Sequence, residues 1–337
     1  MKIQAALQKV LGGEDLSEGE MVSVMSAIME GAVAPVPMAA LLTALHMKGE
    51  SVGELVGAAR VMREKAESVH VKAKMVVDTC GTGGDGGETF NISTAAAFVV
   101  AGAGITVAKH GNRAVSSRSG SADVLQCLGV NIEADKAVVE KCLARVGIGF
   151  LFAPKLHGAM KYAAAVRKEL GFRTLFNLLG PLTNPARAQS QVVGVFAEKW
   201  VVPVARVLRD LGCQHAFVVY GEDGLDEISL MADTRVCEVT QGKIREFTIQ
   251  PGDFGLSPCS REAVKGGTAE QNAAIILDLL EGKSGPPADI VLLNAAAAIT
   301  AAGKTDSLQE GLRVARESLL SGAAKQKLTD LGVASQG

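Results

Sequence analysis

Met75 to Thr94 reads MVVDTCGTGGDGGETFNIST: a short apolar run, Met75-Val76-Val77, a glycine-rich stretch from Gly81 to Gly87, then an alanine-rich helical pattern from Thr94 onward. That order is strand, loop, helix. Further apolar runs at Ile105 to Ala108, Ile148 to Phe152, Val192 to Phe196, Ala216 to Tyr220 and Arg235 to Val239 alternate with helical stretches such as Asp135 to Val146 and Val201 to Leu211. The pattern predicts an α/β fold with a central, mostly parallel sheet flanked by helices. Gln241-Gly242 lies between two β-branched segments and reads as a turn, so one edge is expected to be antiparallel.

Before this unit the chain reads as helices with clear start signals. Ser17 with Glu20 has capping-box spacing just before Met21, Val24, Met25, Ile28 and Met29, which share one helical face. Ser51 with Glu54 repeats the signal before Leu55, Ala58, Val61 and Met62. Pro35 and Pro37 are expected to separate these helices. The methionine stripe reads as core, because Met is a flexible filler and nothing polar converges with it. Thr268 to Leu331 is again helical in pattern, broken at Gly282 to Pro287, and its run from Ala295 to Ala302 would let helices approach closely. No internal repeat or low-complexity linker interrupts the chain.

The 337 residues carry 34 Lys plus Arg against 36 Asp plus Glu, a net charge of −2 with both signs interspersed. That balance offers no broad basic field for nucleic acid, so any phosphate recognition must be local. MKIQAALQKVLGGEDLSEGE, the first segment, carries acids where a secretory signal would carry an apolar core, and Ala95 to Ala108 is too short and too rich in Ala and Gly for a membrane span. A cytoplasmic protein with no membrane partner is expected. Cys80, Cys127, Cys142, Cys213, Cys237 and Cys259 form no C-x-x-C pair, which argues against a zinc site or disulfide framework and leaves small buried thiols.

Gly81-Thr82-Gly83-Gly84-Asp85-Gly86 satisfies G-x-G-x-x-G literally. A dinucleotide site also wants an acid about 20 residues further on, and no Asp or Glu occurs from Thr89 through Ala122. Asp85 inside the loop would sit badly against a bare pyrophosphate, which points to a phosphate ligand carrying Mg²⁺ or free hydroxyls. The same acid-free window holds Asn91-Ile92-Ser93-Thr94 at the mouth of the next helix and Lys109-His110-Gly111-Asn112-Arg113 after the next strand. Ser116, Ser117, Arg118, Ser119 and Ser121 follow. Helix N-terminal amides, hydroxyls and three local cations suit a diphosphate. Alone, Asn91 to Thr94 would be an ordinary N-cap; two such elements beside a glycine loop point to an anion site. Asp226-Glu227, in the loop after the strand ending at Tyr220, would emerge at the same end of the sheet, where carboxylates can share Mg²⁺ with substrate phosphates. A lone Asp-Glu pair would read as a solvated acidic turn.

GTGGD at Gly81 to Asp85, NIST at Asn91 to Thr94, KHGNR at Lys109 to Arg113, SGSADVL at Ser119 to Leu125, RTLFNLLGPLTNPA at Arg173 to Ala186 and GLDE at Gly224 to Glu227 together resemble the anthranilate phosphoribosyltransferase family, in order across nearly the whole chain. The resemblance places the chain among nucleoside-phosphorylase-like transferases. It implies a small all-helical N-terminal domain, residues 1–72 completed by helices from about 163–188. Hinge segments would join it to a large α/β phosphoribosyl-binding domain, 73–337, in homodimers that meet through the small domains. The implied reaction joins phosphoribosyl pyrophosphate and anthranilate to give N-(5-phosphoribosyl)anthranilate and pyrophosphate, a step of tryptophan biosynthesis.

Carried over by motif position, Gly81, Gly84, Asp85, Thr89, Asn91, Ile92, Ser93, Thr94, Lys109, His110, Gly111, Asn112, Arg113, Ala114, Val115, Ser116, Ser117 and Ser121 would hold phosphoribosyl pyrophosphate. Two Mg²⁺ per subunit are implied, one on Ser93 and Glu227 and one on Asp226 with Glu227. Gly81, Asn112 and Arg167 would contact anthranilate, Arg167 from the helical stretch His157 to Leu170, with His110 and Gly180-Pro181 lining its tunnel. Gln126 stands where many relatives would carry an acid, but not at a ligand position.

Displacing pyrophosphate from the anomeric carbon builds positive charge on the ribose and negative charge on the leaving group. Mg²⁺ and amides stabilise the latter. The nucleophile is an aromatic amine, neutral at pH 7, so holding it in line supplies much of the acceleration and no general acid or base is assigned. His110 is the one candidate, and it reads more simply as a loop histidine bonding backbone or substrate. A pyrimidine nucleoside phosphorylase on the same fold is the nearest alternative; the Asp226-Glu227 metal pair argues against it. A non-catalytic nucleotide-binding module would bind without turnover.

Overall fold

The computed structural model describes residues 1–83, 89–114 and 118–337. The chain opens with α1 (Ile3–Leu11), α2 (Glu18–Met29), α3 (Pro35–Lys48) and α4 (Val52–Lys65). Both expected capping boxes form: Ser17 N–H donates to Glu20 Oε2 (2.7 Å) and Glu20 N–H to Ser17 Oγ (3.3 Å), and Ser51 with Glu54 repeats the exchange. Such a cap is worth about 1 kcal/mol. Met21, Val24, Met25, Ile28 and Met29 are buried as the stripe predicts. Pro35 and Pro37 do not merely separate helices. Pro35 opens α3 and Pro37 lies in its first turn, where a missing N–H costs nothing.

Among the described residues one sheet contains β1 (Val76–Gly81), β2 (Thr106–Gly111), β3 (Ile148–Phe152), β4 (Ser190–Gly194), β5 (His215–Gly221), β6 (Thr234–Thr240) and β7 (Lys243–Ile249), in the order β3-β2-β1-β4-β5-β6-β7. The first five in that order run parallel; β6 and β7 are antiparallel and turn at Gln241-Gly242, as read from the sequence. The connecting helices are α5 (Ile92–Gly102), α6 (Ser121–Cys127), α7 (Lys136–Arg145), α8 (Ala153–Leu156), α9 (Lys161–Leu170), α10 (Leu175–Leu182) and α11 (Val201–Asp210). After the β6–β7 hairpin come α12 (Ala269–Leu280), α13 (Pro286–Ala301), α14 (Leu308–Leu320) and α15 (Ala323–Ala334).

Strand side chains alternate between two cores. Val192, Phe217, Val219 and Val236 face α5 and α13, while Val193, Val218, Cys237 and Val239 face α11 in a cluster continuous with the N-terminal helices. On that second side α9 packs against α2 and α3, and α10 against α3 and α4. The alanine run of α13 does meet close neighbours, α5 and α14. The cysteines are all free; Cys80, Cys142 and Cys237 are buried as expected, but Cys213 and Cys259 are only half-buried and Cys127, which ends α6 at the surface, is exposed. No helix among the described residues is long and apolar enough to cross a membrane.

Candidate active site at the switch point of the sheet

Chain order reverses beside β1: β2 and β3 extend the sheet on one side, β4 and β5 on the other. In an open α/β sheet the crevice beyond the carboxyl ends of such strands is where ligands bind. Gly81 ends β1 in register with Gly194 of β4. Thr82 N–H then donates to Gly194 O (2.9 Å), and Phe196 N–H to Thr82 Oγ1 (3.0 Å). The loop after β5 folds over the same spot, so that a Cβ at either Gly81 or Gly194 would collide with Asp226. Glycine is required here for close approach. Asp226 Oδ2 accepts from Gly83 N–H (2.9 Å) and Glu227 Oε1 from Ser93 N–H (3.1 Å). Three segments far apart in sequence thus converge on one crevice.

Asn91 is not an ordinary N-cap. Its side chain makes no capping bond to α5; it donates to Ser119 O (3.2 Å) and accepts from Asn272 Nδ2 of α12 (3.0 Å). The α5 N-terminus therefore keeps its positive end pointed at the crevice, where Glu227 occupies one amide.

The KHGNR stretch differs from expectation in one respect. Lys109, His110 and Gly111 belong to β2 rather than to a loop after it, because pairing with β3 continues through Lys109↔Phe150 to Gly111↔Phe152. Lys109 is buried, donates to Thr79 O and lies 3.4 Å from Ser93 Oγ. Burial pulls its pKa down, opposed by Asp78, Cys80 and Glu227. Asp78, fully buried in β1, accepts from His110 N–H (3.1 Å) and Asn184 Nδ2 (2.7 Å); burial pushes its carboxyl up, opposed by Lys109.

His110, a strand histidine rather than a loop one, uses Nδ1 on Gly180 O (3.2 Å). Its ring lies 5.1 Å from that of His157, a residue the motifs did not point to, and His157 bonds the Thr183 backbone. Both rings are buried and neither Nε2 has a hydrogen-bond partner among the described residues. Burial, reinforced by His157, lowers His110 to about 3, and burial lowers His157 to about 4. Both are neutral at pH 7, and His110 is too weak a base to serve as a proton acceptor near neutrality. The neighbouring wall is fixed carbonyl by carbonyl: Gly180 O meets His110, Pro181 O accepts from Gln191 (2.9 Å), Leu182 O from Arg63 (2.6 Å), and Thr183 meets His157.

Arg113 is less available than its place in an acid-free window implies. Its NH1 donates to Asp123 Oδ1 (2.9 Å), just past that window, and to Gln126 Oε1 (3.1 Å). Asp123 also accepts from the Ala114 and Gly120 amides. Ser121 Oγ donates to Asn112 O (3.3 Å), which ties the start of α6 to the end of β2. Thr89 forms an isolated bridge with Lys265, and Ile92 and Thr94 are buried in α5. Arg167 stands on α9 with its guanidinium over the Phe176 ring at 5.2 Å, and burial lowers its pKa. Phe176 lies in the first turn of α10, whose last turn carries the Gly180 wall. Gly84, Asp85, Val115, Ser116 and Ser117 lie outside the described residues.

Asp226 and Glu227 suit a hard cation. Burial and the adjacent Asp226 both push the Glu227 carboxyl up, so two bare carboxylates are unfavourable here and a bound cation would relieve them. Among the described residues no three His, Cys, Asp or Glu side chains cluster as a self-sufficient metal site. Mg²⁺ is commonly held by one or two carboxylates together with substrate phosphates.

Residues 73–325 match the glycosyl transferase family a/b domain, and residues 4–66 match the helical bundle domain of the same family. The fold and crevice are thus those of a two-part glycosyl transferase. The chain is 56% identical over 329 residues to the anthranilate phosphoribosyltransferase of Anaeromyxobacter sp. (strain K), covering 98% of this chain and 97% of that one. It is 53% identical to that of Clostridium kluyveri, covering 98% of each. The crystal structure of anthranilate phosphoribosyltransferase from Thermus thermophilus superposes with a TM-score of 0.94 at 48% identity, covering 98% of this chain and 99% of that one. The Saccharomyces cerevisiae enzyme in complex with PRPP and Mg gives 0.91 at 27% identity, covering 99% and 98%. The chain belongs to the anthranilate phosphoribosyltransferase family.

Proposed function

We propose that this chain transfers the 5-phosphoribosyl group of phosphoribosyl pyrophosphate to the amine of anthranilate, releasing pyrophosphate, in tryptophan biosynthesis. The observation that carries the reading is the convergence of the Gly81, Ser93 and Asp226-Glu227 segments at the switch point, in a chain whose relatives of that name match it end to end. With phosphoribosyl pyrophosphate as donor, the enzyme would work in the cytoplasm.

Gly81, Gly84, Asp85, Thr89, Asn91 to Thr94, Lys109 to Ser117 and Ser121 hold the donor in this reading, and Gly81, Asn112 and Arg167 the acceptor. Ser93 with Glu227, and Asp226 with Glu227, carry two Mg²⁺ per subunit. When bound, Mg²⁺ offsets the charge that develops on the departing diphosphate. The α5 amides not taken by Glu227 would add donors to that diphosphate. Arg167 orients the anthranilate carboxylate, and the neutral His110 and the Gly180 wall hold the ring so that the amine meets the anomeric carbon in line. The amine needs no base to become nucleophilic.

Residues 1–72, completed by about 163–188, form the small domain in this reading, and 73–337 the large one. Support for a homodimer through the small domain comes from Leu11, Val36 and Met47, apolar side chains exposed on α1 and α3, with Tyr162 and Phe172 exposed on and beside α9. Sedimentation of wild type against Val36→Asp with Met47→Asp tests the dimer; an unchanged wild-type monomer would exclude it.

Activity is tested by mixing protein, phosphoribosyl pyrophosphate, Mg²⁺ and anthranilate and following anthranilate fluorescence. A time-dependent fall is expected. Constant emission with folded protein would refute both the transfer reaction and this choice of acceptor.

A further inference from the structure

Every residue of α13 from Ile290 to Ala301 is buried, and all are apolar except Asn294 and Thr300. A carboxamide in such a helix is costly unless its hydrogen bonds are made. Asn294, 2% exposed, spends them on one residue outside its helix: Oδ1 accepts from Ile228 N–H (2.9 Å) and Nδ2 donates to Ile228 O (2.9 Å), with a further bond to Ile290 O (2.9 Å). Ile228 directly follows Glu227, in a loop with neither helix nor strand to satisfy its backbone. The Asn294 amide takes the place of a strand partner. It fixes the peptide planes on both sides of Ile228, and hence the direction in which Glu227 leaves the chain toward Ser93, 3.1 Å from its amide.

We infer that Asn294 is a positioning residue for the Asp226-Glu227 pair, holding both carboxylates where the magnesium-bound diphosphate needs them by clamping the Ile228 backbone. The inference rests on the reading of that pair as the metal carriers. Asn294 touches no substrate. Without it, the Ile228 N–H and C=O lose their partners in a buried site, and the turn shifts to recover them.

The test is calorimetric titration of the purified full-length protein with phosphoribosyl pyrophosphate in Mg²⁺, beside steady-state kinetics and thermal melts. Asn294→Ala is expected to weaken donor binding roughly 10- to 100-fold, the usual effect of removing an outer-shell support, with KM for anthranilate unchanged. Asn294→Gln, which keeps the amide on a longer stem, should recover part of the loss and serves where the alanine variant does not fold. Thr300→Val, removing the other buried polar side chain of α13, should lower the Tm without weakening donor binding. Asn294 variants that melt early yet bind the donor and Mg²⁺ like wild type would overturn the positioning role. A paired Asp226→Ala, Glu227→Ala variant separates the two ideas: if it keeps wild-type Mg²⁺ dependence, the metal reading fails. If it loses that dependence while the Asn294 variants do not, only the positioning role falls.

Discussion

Acid should destabilise this protein through its two buried histidines, and the size of the effect follows from their surroundings. His110 and His157 are 7% and 6% exposed, and their folded pKa values are about 3 and about 4. An unfolded chain would titrate both near the ordinary value of about 6.5. Between these limits the unfolded state binds protons that the folded state refuses. The stability contribution is therefore complete above about pH 6.5 and declines as pH falls toward the folded values. At pH 5, about 1.5 units below the unfolded value, each histidine has withdrawn about 2 kcal/mol, or about 4 kcal/mol for the pair. That is a large part of the roughly 5–15 kcal/mol that holds an ordinary domain together. Urea unfolding at pH 7.5 and 5.0, in wild type and His157→Gln, measures it. The variant removes one titrating ring and relieves the other, so its loss of stability between the two pH values should shrink by about half. Other groups cancel in the comparison. Equal losses in the two proteins, or ring signals titrating near pH 6.5 in the folded state, would refute the burial argument.

Arg167→Ala removes a charge-assisted contact worth about 1.5–3 kcal/mol, so KM for anthranilate should rise about 10- to 100-fold; a change confined to the donor KM would assign Arg167 elsewhere. Gly194→Ala drives a methyl group into the Asp226 backbone, which should cost about 1–3 kcal/mol and weaken Mg²⁺-dependent turnover, read by thermal melts and a Mg²⁺ titration. Arg63 stays charged at pH 7, with burial lowering it only to about 10, and bonds Leu182 O and Leu211 O. Arg63→Met should therefore lower stability by about 1–3 kcal/mol for the carbonyls left without a donor, measured by urea unfolding.

Much of the fold was legible because its signals are local. A glycine loop between an apolar strand and an alanine-rich helix, serine-glutamate spacing before α2 and α4, and Gln241-Gly242 between two strands each act over a few residues. The reading went astray where distant partners decide. β2 runs on through His110 because β3 pairs with it there, although Lys-His-Gly reads locally as the start of a loop. Asn91 looks like an N-cap by type and place, but Asn272, far along the chain, takes its side chain instead. Arg113 reads as an available cation because its partner Asp123 lies one residue outside the acid-free window, in the first turn of α6. His157 carries no motif; its meaning comes only from standing 5.1 Å from His110.

The sequence by itself determined the α/β class, the glycine loop, the paired acids and the motif order that marks the family. Each depends on residue type and short spacing, which backbone stereochemistry and hydrogen bonding translate directly into local structure. Only the tertiary structure decided that Gly81 and Gly194 leave room for Asp226, that Asn294 holds the acidic turn, and that two histidines are kept neutral. Those facts depend on desolvation and close approach between segments far apart in the chain, and neither quantity exists until the sheet and its helices have closed around them.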